Sequence, residues 1–465
     1  MASDAILAAR PSMPERPVLQ RELSALLSAA GGFGASVHIC VGSDELACAA
    51  GTLSNVDSSP ITDKTRFGIA CFVRFLISLV ALKLAEDGVL DLDASVGSYL
   101  PELGCEPKSA SILVRHLLAH TGGYRGLDIA DGPRWQWPWE RCVKSFNDAP
   151  QLFSPGTVFN EGHLDHVILG QILRQLTRRS TQELVQQFIF EPLGIESGSL
   201  EADDTTSQPR FFGHSYSREK QSFEKITEVS RETDTWAASL SNRTLSATAI
   251  CKIGRFLMDE SKDTGAITKF VRQHVFQPAI VLPKATSAHQ NSNWIPSTFS
   301  LCCARFPTGF FGYFAAGCGQ CCGVVFDPQR KISIGLGLNA QLPLLRTRVL
   351  NLIVGHILQH RDPRFDRRKA SQPEQREFWD FVSPFKPADL LGRYVGNLNS
   401  EVMVTARAGR LRVVLGEQTK AVVGALQRNR LMVEADAAVP VAFLADPGTG
   451  KPCIMLGMNV FKKVA

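Results

Sequence analysis

The chain has 465 residues, of which 44% are hydrophobic and 20% are charged, and its formal net charge is +5. A chain of this length exceeds what one hydrophobic core normally fills, so two domains are expected in an ordinary globular protein. The basic residues are scattered and form no stripe with interleaved aromatics, which argues against a nucleic-acid partner.

Two stretches bear on the compartment of the protein. The first twenty residues contain neither a basic n-region nor a long apolar h-region, so no secretory signal is expected. The apolar stretch 67–82 is short for a membrane span and contains Arg74, which favours a buried helix and argues against a membrane partner. Twelve cysteines without an export signal predict reduced thiols in a cytoplasmic protein.

Apolar and turn patterns predict the first elements of the chain. A helix is expected over 18–29, followed by strands at 35–41 and 46–51 that are joined by the turn Gly42-Ser43-Asp44. The run 71–85 is too long for a strand, lacks glycine and proline, and is apolar nearly all round. It therefore predicts a helix buried inside a large domain, and a further helix is expected over 167–176.

The pattern changes in the last hundred residues. The charged, proline-containing segment 366–387 is predicted to be a linker. Six strand-like runs follow at short spacing and predict a small antiparallel barrel or sandwich. They are Glu401–Ala406, Leu411–Leu415, Ala421–Ala425, Leu431–Ala435, Val439–Leu444 and Pro452–Val460.

Three segments carry a family resemblance. They are residues 66–104 (RFGIACFVRFLISLVALKLAEDGVLDLDASVGSYLPELG), residues 109–123 (SASILVRHLLAHTGG) and the stretch from Pro155 to Gly170. Together they resemble the serine β-lactamase and penicillin-binding-protein superfamily, in its esterase and D-aminopeptidase-like branch. The resemblance implies an α/β fold over residues 1–365, with an antiparallel central sheet flanked by helices. After the linker, residues 388–465 are similar to the lipocalin-like β-barrel found behind many such domains.

The resemblance places the S-x-x-K motif of the superfamily on Cys71-Phe72-Val73-Arg74. Cys71 stands at the position of the serine nucleophile, and it is either a thiol nucleophile at a helix N-terminus or a small buried residue. Arg74 stands at the position of the catalytic lysine, but a guanidinium cannot act as a general base. Arg74 is expected to favour a thiolate, to bind an anionic substrate group, or to form a structural ion pair with Glu161.

The other two motifs of the superfamily are also altered. Y-x-N becomes Glu161-Gly162-His163, which supplies a carboxylate and an imidazole that face Cys71 if the parent geometry is kept. His163 could then deprotonate Cys71 while Glu161 pairs with Arg74 or orients the imidazole; the alternative is a surface histidine. The third motif falls on residues 313–315, where Tyr313 and Ala315 are expected to line the substrate pocket. The oxyanion would be held by the Cys71 backbone N–H and by a strand N–H near residue 316.

These residues leave three functions open. The first is a cysteine-dependent acyltransferase, hydrolase or cyclase of specialised metabolism, acting on a small molecule such as a thioester or amide. The second is a non-covalent acid–base enzyme in the same pocket, an isomerase, lyase or cyclase. The third is a catalytically dead binding protein. No cofactor or metal is expected, since the pairs Cys302-Cys303 and Cys321-Cys322 are predicted to be buried thiols. The oligomeric state stays open.

Overall fold

The protein is described from a computed structural model, and the description covers most of the chain. The described residues are 11–55, 57–104, 111–124, 138–196, 198–199, 213–217, 222–225, 243–261, 263–282, 286–287, 293–317, 319–359, 365, 377–382, 385, 387–395, 401–407, 410–415, 418–427, 430–435, 441–456 and 459–464.

The α-helices of the described residues lie in the first 360 residues. In chain order they are α1 (Arg16–Ala29), α2 (Phe72–Glu86), α3 (Val96–Tyr99), α4 (Val114–Leu118), α5 (Trp139–Asp148), α6 (His163–Thr177), α7 (Thr181–Val185), α8 (Glu191–Leu193), α9 (Ala247–Met258), α10 (Lys269–Phe276) and α11 (Pro343–Ile357). A π-helical segment, Gln186–Phe190, joins α7 to α8.

The strands belong to two large and two small antiparallel sheets. In chain order they are β1 (Ala35–Val41), β2 (Asp44–Ala50), β3 (Arg66–Gly68), β4 (Gly198–Ser199), β5 (His214–Ser217), β6 (Ser222–Lys225), β7 (Arg243–Ser246), β8 (Ile280–Val281), β9 (Thr286–Ser287), β10 (Thr298–Phe299), β11 (Ala304–Arg305), β12 (Phe311–Gly317), β13 (Gln320–Asp327), β14 (Ile332–Leu338), β15 (Glu377–Val382), β16 (Gly392–Val395), β17 (Glu401–Arg407), β18 (Arg410–Leu415), β19 (Gln418–Gln427), β20 (Arg430–Ala435), β21 (Val441–Ala445), β22 (Pro452–Leu456) and β23 (Asn459–Lys463).

The central sheet has eight strands in the order β2-β1-β14-β13-β12-β11-β10-β8, with antiparallel pairing throughout. Its middle strands β13 and β14 are buried along their whole length, because helices and loops cover both faces. Helix α9 packs on β1, β13 and β14, and α1 packs on β2 and on α11. The predicted α/β domain with a central antiparallel sheet is confirmed.

Helix α2 lies in the interior of this domain, as its sequence predicts. All of its residues except Lys83, Ala85 and Glu86 are buried. It contacts α6, α7, α10 and strand β12, so apolar side chains are needed on every side of the helix. The segment that carries the S-x-x-K position is therefore held by the core from its first turn onward.

A second large sheet of ten strands follows in the order β21-β22-β23-β16-β17-β18-β19-β20-β15-β9. It curls into a half-barrel, and its apolar interior is built around Tyr394, Val402 and Val413. Strand β9 comes from the first 365 residues, so the second sheet recruits a segment that precedes the expected linker.

Two expectations about this region need correction. Residues 377–382, expected to belong to a linker, form β15 and pair with β20. This segment contains four apolar residues, but the charged and proline residues around them led to the linker prediction. Pro452–Val460, expected to be one strand, is divided between β22 and β23. Leu456 pairs with Asn459, so the chain reverses between them, and a period-two pattern does not reveal such a reversal.

The last strand of the half-barrel touches the first domain. Val460 and Cys453 pack against Phe153 and Val158 in a small apolar cluster. The backbone N–H of Val460 donates to Asn160 Oδ1 at 3.3 Å, immediately before Glu161 in the chain. The two sheets therefore meet at the loop that leads into α6. None of the helices in the described parts of the chain is long and apolar enough to cross a membrane.

Candidate functional site

Cys71 lies at a sharp junction between β3 and α2. The preceding residue, Ala70, has a φ of 41°, a left-handed conformation that is unusual for a residue with a Cβ. This turn ends β3 and lets the backbone N–H of Phe72 donate to the carbonyl of Ile69 at 2.8 Å. Cys71 then becomes the N-terminal cap residue of α2, with its side chain only half-buried.

The end of β12 forms the opposite wall beside this junction. Gly317 lies so close to Ala70 that an added Cβ would approach the Ala70 methyl to 2.9 Å. Tyr313 and Ala315 share one face of β12 by strand alternation, and both are buried. On the side of β12 that faces β13, Ala316 pairs with Cys321. On the side that faces β11, the described pairing of β12 ends at Gly312. The predicted oxyanion donor near residue 316 therefore lies on a strand end beside Cys71.

Arg74 occupies the first turn of α2 and is buried. Its Nη1 donates to Glu161 Oε1 at 2.7 Å, and Glu161 itself remains one-third exposed. Burial alone would lower the pKa of Arg74, but nearby ionisable groups hold that pKa above its ordinary value; they are Cys71, Tyr313, Glu161 and Asp165. The guanidinium is thus a permanent cation in the middle of the predicted site.

Tyr313 completes this cluster. Its ring stacks on Phe75 at 5.8 Å between centroids and meets Phe72 edge-on at 6.2 Å. Burial raises the pKa of the Tyr313 phenol above its ordinary value, and the hydrogen bond and charge of Arg74 offset only part of this effect. The phenol is therefore a proton donor at neutral pH and not a base.

A buried network of hydrogen bonds lies next to Arg74, and the sequence analysis did not predict it. Asp165, on the first turn of α6, accepts a hydrogen bond from Tyr124 and contacts His120 Nδ1 at 2.7 Å. The ring of His120 lies 4.8 Å from that of His166, whose Nε2 is 3.1 Å from Ser78 Oγ. Ser78 Oγ donates to the Arg74 carbonyl at 2.8 Å. The network thus joins α4, α6 and α2.

The structure brings together most of the residues that the sequence singled out. Arg74 pairs with Glu161 and also interacts electrostatically with Cys71 and Tyr313. Ala315 lies on the same strand as Tyr313. His163 begins α6 directly after the Glu161-Gly162 pair, but its side chain lies outside the described residues. The unit of Cys71 and His163 therefore stays a prediction. Asp165 lies in the first turn of α6, where an acidic residue is common, so the sequence did not single it out for the buried network.

The other described cysteines differ from Cys71 in exposure. All nine of them are buried, and they are Cys40, Cys48, Cys142, Cys251, Cys302, Cys303, Cys321, Cys322 and Cys453. Burial raises the pKa of Cys302 and of Cys322 well above the ordinary thiol value. Among the described residues, the one group with metal-ligand spacing is not at these pairs but at His38, Cys40 and Cys251.

Comparisons with known proteins agree with this architecture. Residues 19–249 match the family model described as Beta-lactamase. Penicillin-binding protein 4 of Amycolatopsis lactamdurans is 26% identical over 164 residues, which is 35% of this chain and 43% of that protein. Esterase EstB of Burkholderia gladioli is 28% identical over 155 residues, 29% of this chain and 38% of the esterase. The alignment thus spans about two fifths of either relative's length.

Similarity to solved structures extends over nearly the whole chain. The crystal structure of SurE superposes with a TM-score of 0.70 and 18% sequence identity, covering 97% of this chain and 99% of SurE. At this identity the likeness concerns the fold, which includes the half-barrel as well as the first domain. Family match, relatives and fold agree with one another. The chain belongs to the serine β-lactamase and penicillin-binding-protein-like superfamily.

Proposed function

We propose that the protein is an acyl-transfer enzyme in which Cys71 replaces the serine nucleophile, acting on a small-molecule thioester or amide. One observation carries the proposal. Cys71 is half-buried beside a buried permanent cation, whereas the other described cysteines are buried. A thiolate next to a guanidinium is the form of cysteine that attacks carbonyl carbons.

Arg74 has two roles in this proposal. It cannot remove a proton, so it stabilises the thiolate of Cys71 electrostatically instead of generating it. It also holds Glu161 through the 2.7 Å ion pair, which fixes the loop that leads to His163. The positive charge of Arg74 is only partly neutralised by Glu161, because that carboxylate is one-third exposed and solvated.

The base in the proposed reaction is His163. Its imidazole accepts the thiol proton, and the Cys71 sulfur forms a C–S bond with the substrate carbonyl carbon. The oxyanion is held by the backbone N–H groups of Cys71 and Ala316, with the protonated Tyr313 phenol as a further donor. Collapse breaks the bond to the leaving group, which takes the proton from the imidazolium. Water or an acceptor nucleophile, deprotonated by His163, then releases the acyl group and the thiol.

The buried Arg74–Glu161 pair also favours a second candidate, a binding protein without covalent chemistry. A matched ion pair next to a protonated tyrosine offers hydrogen bonds and charge to an anionic ligand but no strong base. An acid–base enzyme would use Glu161 as its base, but that carboxylate is engaged in the ion pair with Arg74 at 2.7 Å.

Several finer features belong to the same proposal. We place the β-lactamase-like domain within residues 1–365, and residues 388–465 within a lipocalin-like barrel of which the described strands form the curled half. We place the reaction in specialised small-molecule metabolism, because the lysine-dependent machinery of the parent chemistry is replaced at three motifs, at Arg74, Glu161 and Tyr313.

Intact-mass analysis after incubation with p-nitrophenyl acetate tests the proposal. Wild-type protein is expected to gain one hydroxylamine-sensitive acetyl group, and Cys71→Ala is expected to gain none. Cys142→Ala, which removes a buried thiol on α5, serves as the matched control and should label like the wild type. Folded wild-type protein that neither gains the acetyl group nor releases p-nitrophenolate, or a hydroxylamine-sensitive acetyl group retained by Cys71→Ala, would refute covalent catalysis and leave the binding function.

A further inference from the structure

A second cluster of reactive side chains lies away from Cys71, between β1 and α9. His38 and Cys40 are two residues apart on β1 and therefore project from the same face of the sheet. Helix α9 covers this face, and its residue Cys251 meets them there. The donor atoms of His38, Cys40 and Cys251 all lie within 4.8 Å of one another, and all three residues are buried.

Two glycines explain why the helix comes so close to the strands. A Cβ at Gly335 of β14 would be 2.1 Å from the carbonyl oxygen of Ala247 and 2.5 Å from the backbone N of Cys251. A Cβ at Gly254 of α9 would be 2.5 Å from Ser333 Oγ. Because both positions lack a side chain, the Cys251 sulfur reaches the level of Cys40. The close packing of α9 on the central sheet therefore brings His38, Cys40 and Cys251 together.

The sulfur geometry suits a shared cation better than a disulfide. Cys251 Sγ and Cys40 Sγ are 3.4 Å apart. Two thiolates bound to a tetrahedral zinc ion stand about 3.8 Å apart, so the sulfurs would separate by a few tenths of an ångström. A disulfide requires about 2.05 Å, which demands a much larger displacement of a packed helix or strand.

The imidazole of His38 is oriented as in many zinc sites. Its Nε2 lies 3.2 Å from Glu45 Oε2, and Glu45 in turn pairs with Arg255. A carboxylate that accepts the Nε2 proton leaves the lone pair on Nδ1, which lies 3.1 Å from Thr248 Oγ1. Thr248 is exposed, so water can reach the fourth position of a tetrahedral ion.

From these observations we infer that His38, Cys40 and Cys251 bind Zn²⁺, with Glu45 orienting the imidazole. Charge balance supports the site: two thiolates neutralise the divalent cation, and Glu45 is neutralised by Arg255. The ion would link α9 to β1, because Cys251 belongs to α9 and the other two ligands belong to β1. This inference does not depend on the chemistry of Cys71.

Metal analysis of the reduced full-length protein tests the site. Wild-type protein reconstituted with Zn²⁺ is expected to retain one zinc per chain after gel filtration, and its melting temperature should rise with zinc. Co²⁺ in place of Zn²⁺ should produce a thiolate-to-cobalt charge-transfer absorption, which a purely structural thiol pair would not show. Glu45→Gln is expected to weaken zinc binding by about 10- to 100-fold.

Variants assign the ligands. Cys40→Ser, Cys251→Ser and His38→Ala are each expected to lose the bound zinc and the cobalt absorption. Cys48→Ala removes a buried thiol from the neighbouring strand β2 and should keep both. The inference is overturned if folded wild-type protein takes up no zinc, if it forms a Cys40–Cys251 disulfide instead, or if the serine variants retain the metal. Because the wild-type cobalt spectrum needs no substitution, the test stands even where a variant fails to fold.

Discussion

At the scale of single residues, the positions that the resemblance assigns to the three motifs interact electrostatically. A lysine-to-arginine change alone would leave a buried cation opposite a tyrosine, and the desolvation cost would be uncompensated. Here Glu161 faces Arg74 at 2.7 Å, so the new charge has a partner. Tyr313 and Asp165 add further negative or hydrogen-bonding character around the same guanidinium. The three altered motifs are therefore electrostatically coupled.

The proposed thiol–imidazole unit predicts non-additive variants. Cys71→Ala and His163→Ala are each expected to remove most p-nitrophenyl acetate turnover, roughly 100-fold or more, because both act in one proton-transfer step. The double variant should be little worse than either single one. Cys71→Ser should also be poor, since an alcohol stays protonated beside an imidazole suited to a thiol.

Steady-state turnover of purified variants provides the measurement, with circular dichroism to verify folding. A Cys71→Ala variant with near-native turnover would contradict the covalent mechanism, and loss of turnover in Glu161→Gln alone would then point to acid–base chemistry. Effects of Cys71→Ala and His163→Ala that simply add in free energy would show that the two residues act independently.

At the scale of elements, glycines position the strand that leads to Cys71. Phe67 of β3 is fully buried, and its ring lies against Gly337 of β14, where an added Cβ would come within 2.0 Å of the ring. Gly317 makes the corresponding close approach to Ala70. The end of β3, the strained Ala70 and the start of α2 are therefore placed by contacts with two strands of the central sheet.

Gly337→Ala tests this dependence. The added methyl must displace Phe67 and β3, so the variant is expected to lose about 1–3 kcal/mol of unfolding free energy. Acetylation of Cys71 should slow as well, because the displaced strand ends at the nucleophile. Gly448→Ala is the control, since its added Cβ meets only Asp446 Oδ1 at 3.6 Å. Urea unfolding and intact-mass labelling rates provide the readouts; equal stability of the two variants would contradict the packing argument.

At the scale of the whole molecule, the half-barrel contacts the loop that leads to Glu161. Lys462 of β23 donates to the carbonyl of Leu152 at 2.9 Å and pairs with Asp446 at 2.8 Å. Asn160 accepts a hydrogen bond from Val460 and precedes Glu161 in the chain. The second sheet thus contacts the loop from residue 152 to residue 160, which sets the position of the carboxylate opposite Arg74.

Lys462→Met is expected to slow acetylation of Cys71 roughly tenfold, since small misplacements of positioned groups reduce rates strongly. Lys463→Met is the matched control: Lys463 donates to the Asp389 carbonyl at 2.7 Å, within the second half of the chain. The labelling rate of each variant is measured by intact mass at fixed p-nitrophenyl acetate concentration. Equal rates for the two variants would show that the half-barrel does not position the loop.

Local pattern was sufficient for much of the fold. The apolar run 71–85 predicted α2 to within a residue, because a helix that is apolar on every side has few alternatives to burial. Alternating runs and turn residues likewise predicted β1, β2 and most strands of the second sheet. The motif frame also named Arg74, Glu161 and Tyr313, which interact with one another in the structure; their roles towards Cys71 stay a prediction.

Only the tertiary structure decided how these side chains are paired. The family resemblance offered the Glu161–Arg74 ion pair as one of several roles for these residues, and the structure shows that pair. No local pattern shows that Asp165 joins Tyr124 to His120, or that residues 377–382 join the second sheet as β15. Cys251 lies 211 residues after Cys40, and close packing at two glycines brings the two sulfurs together. Hydrophobic periodicity determines which face of an element is buried, whereas partner choice across a core depends on the approach of distant elements, which periodicity does not encode.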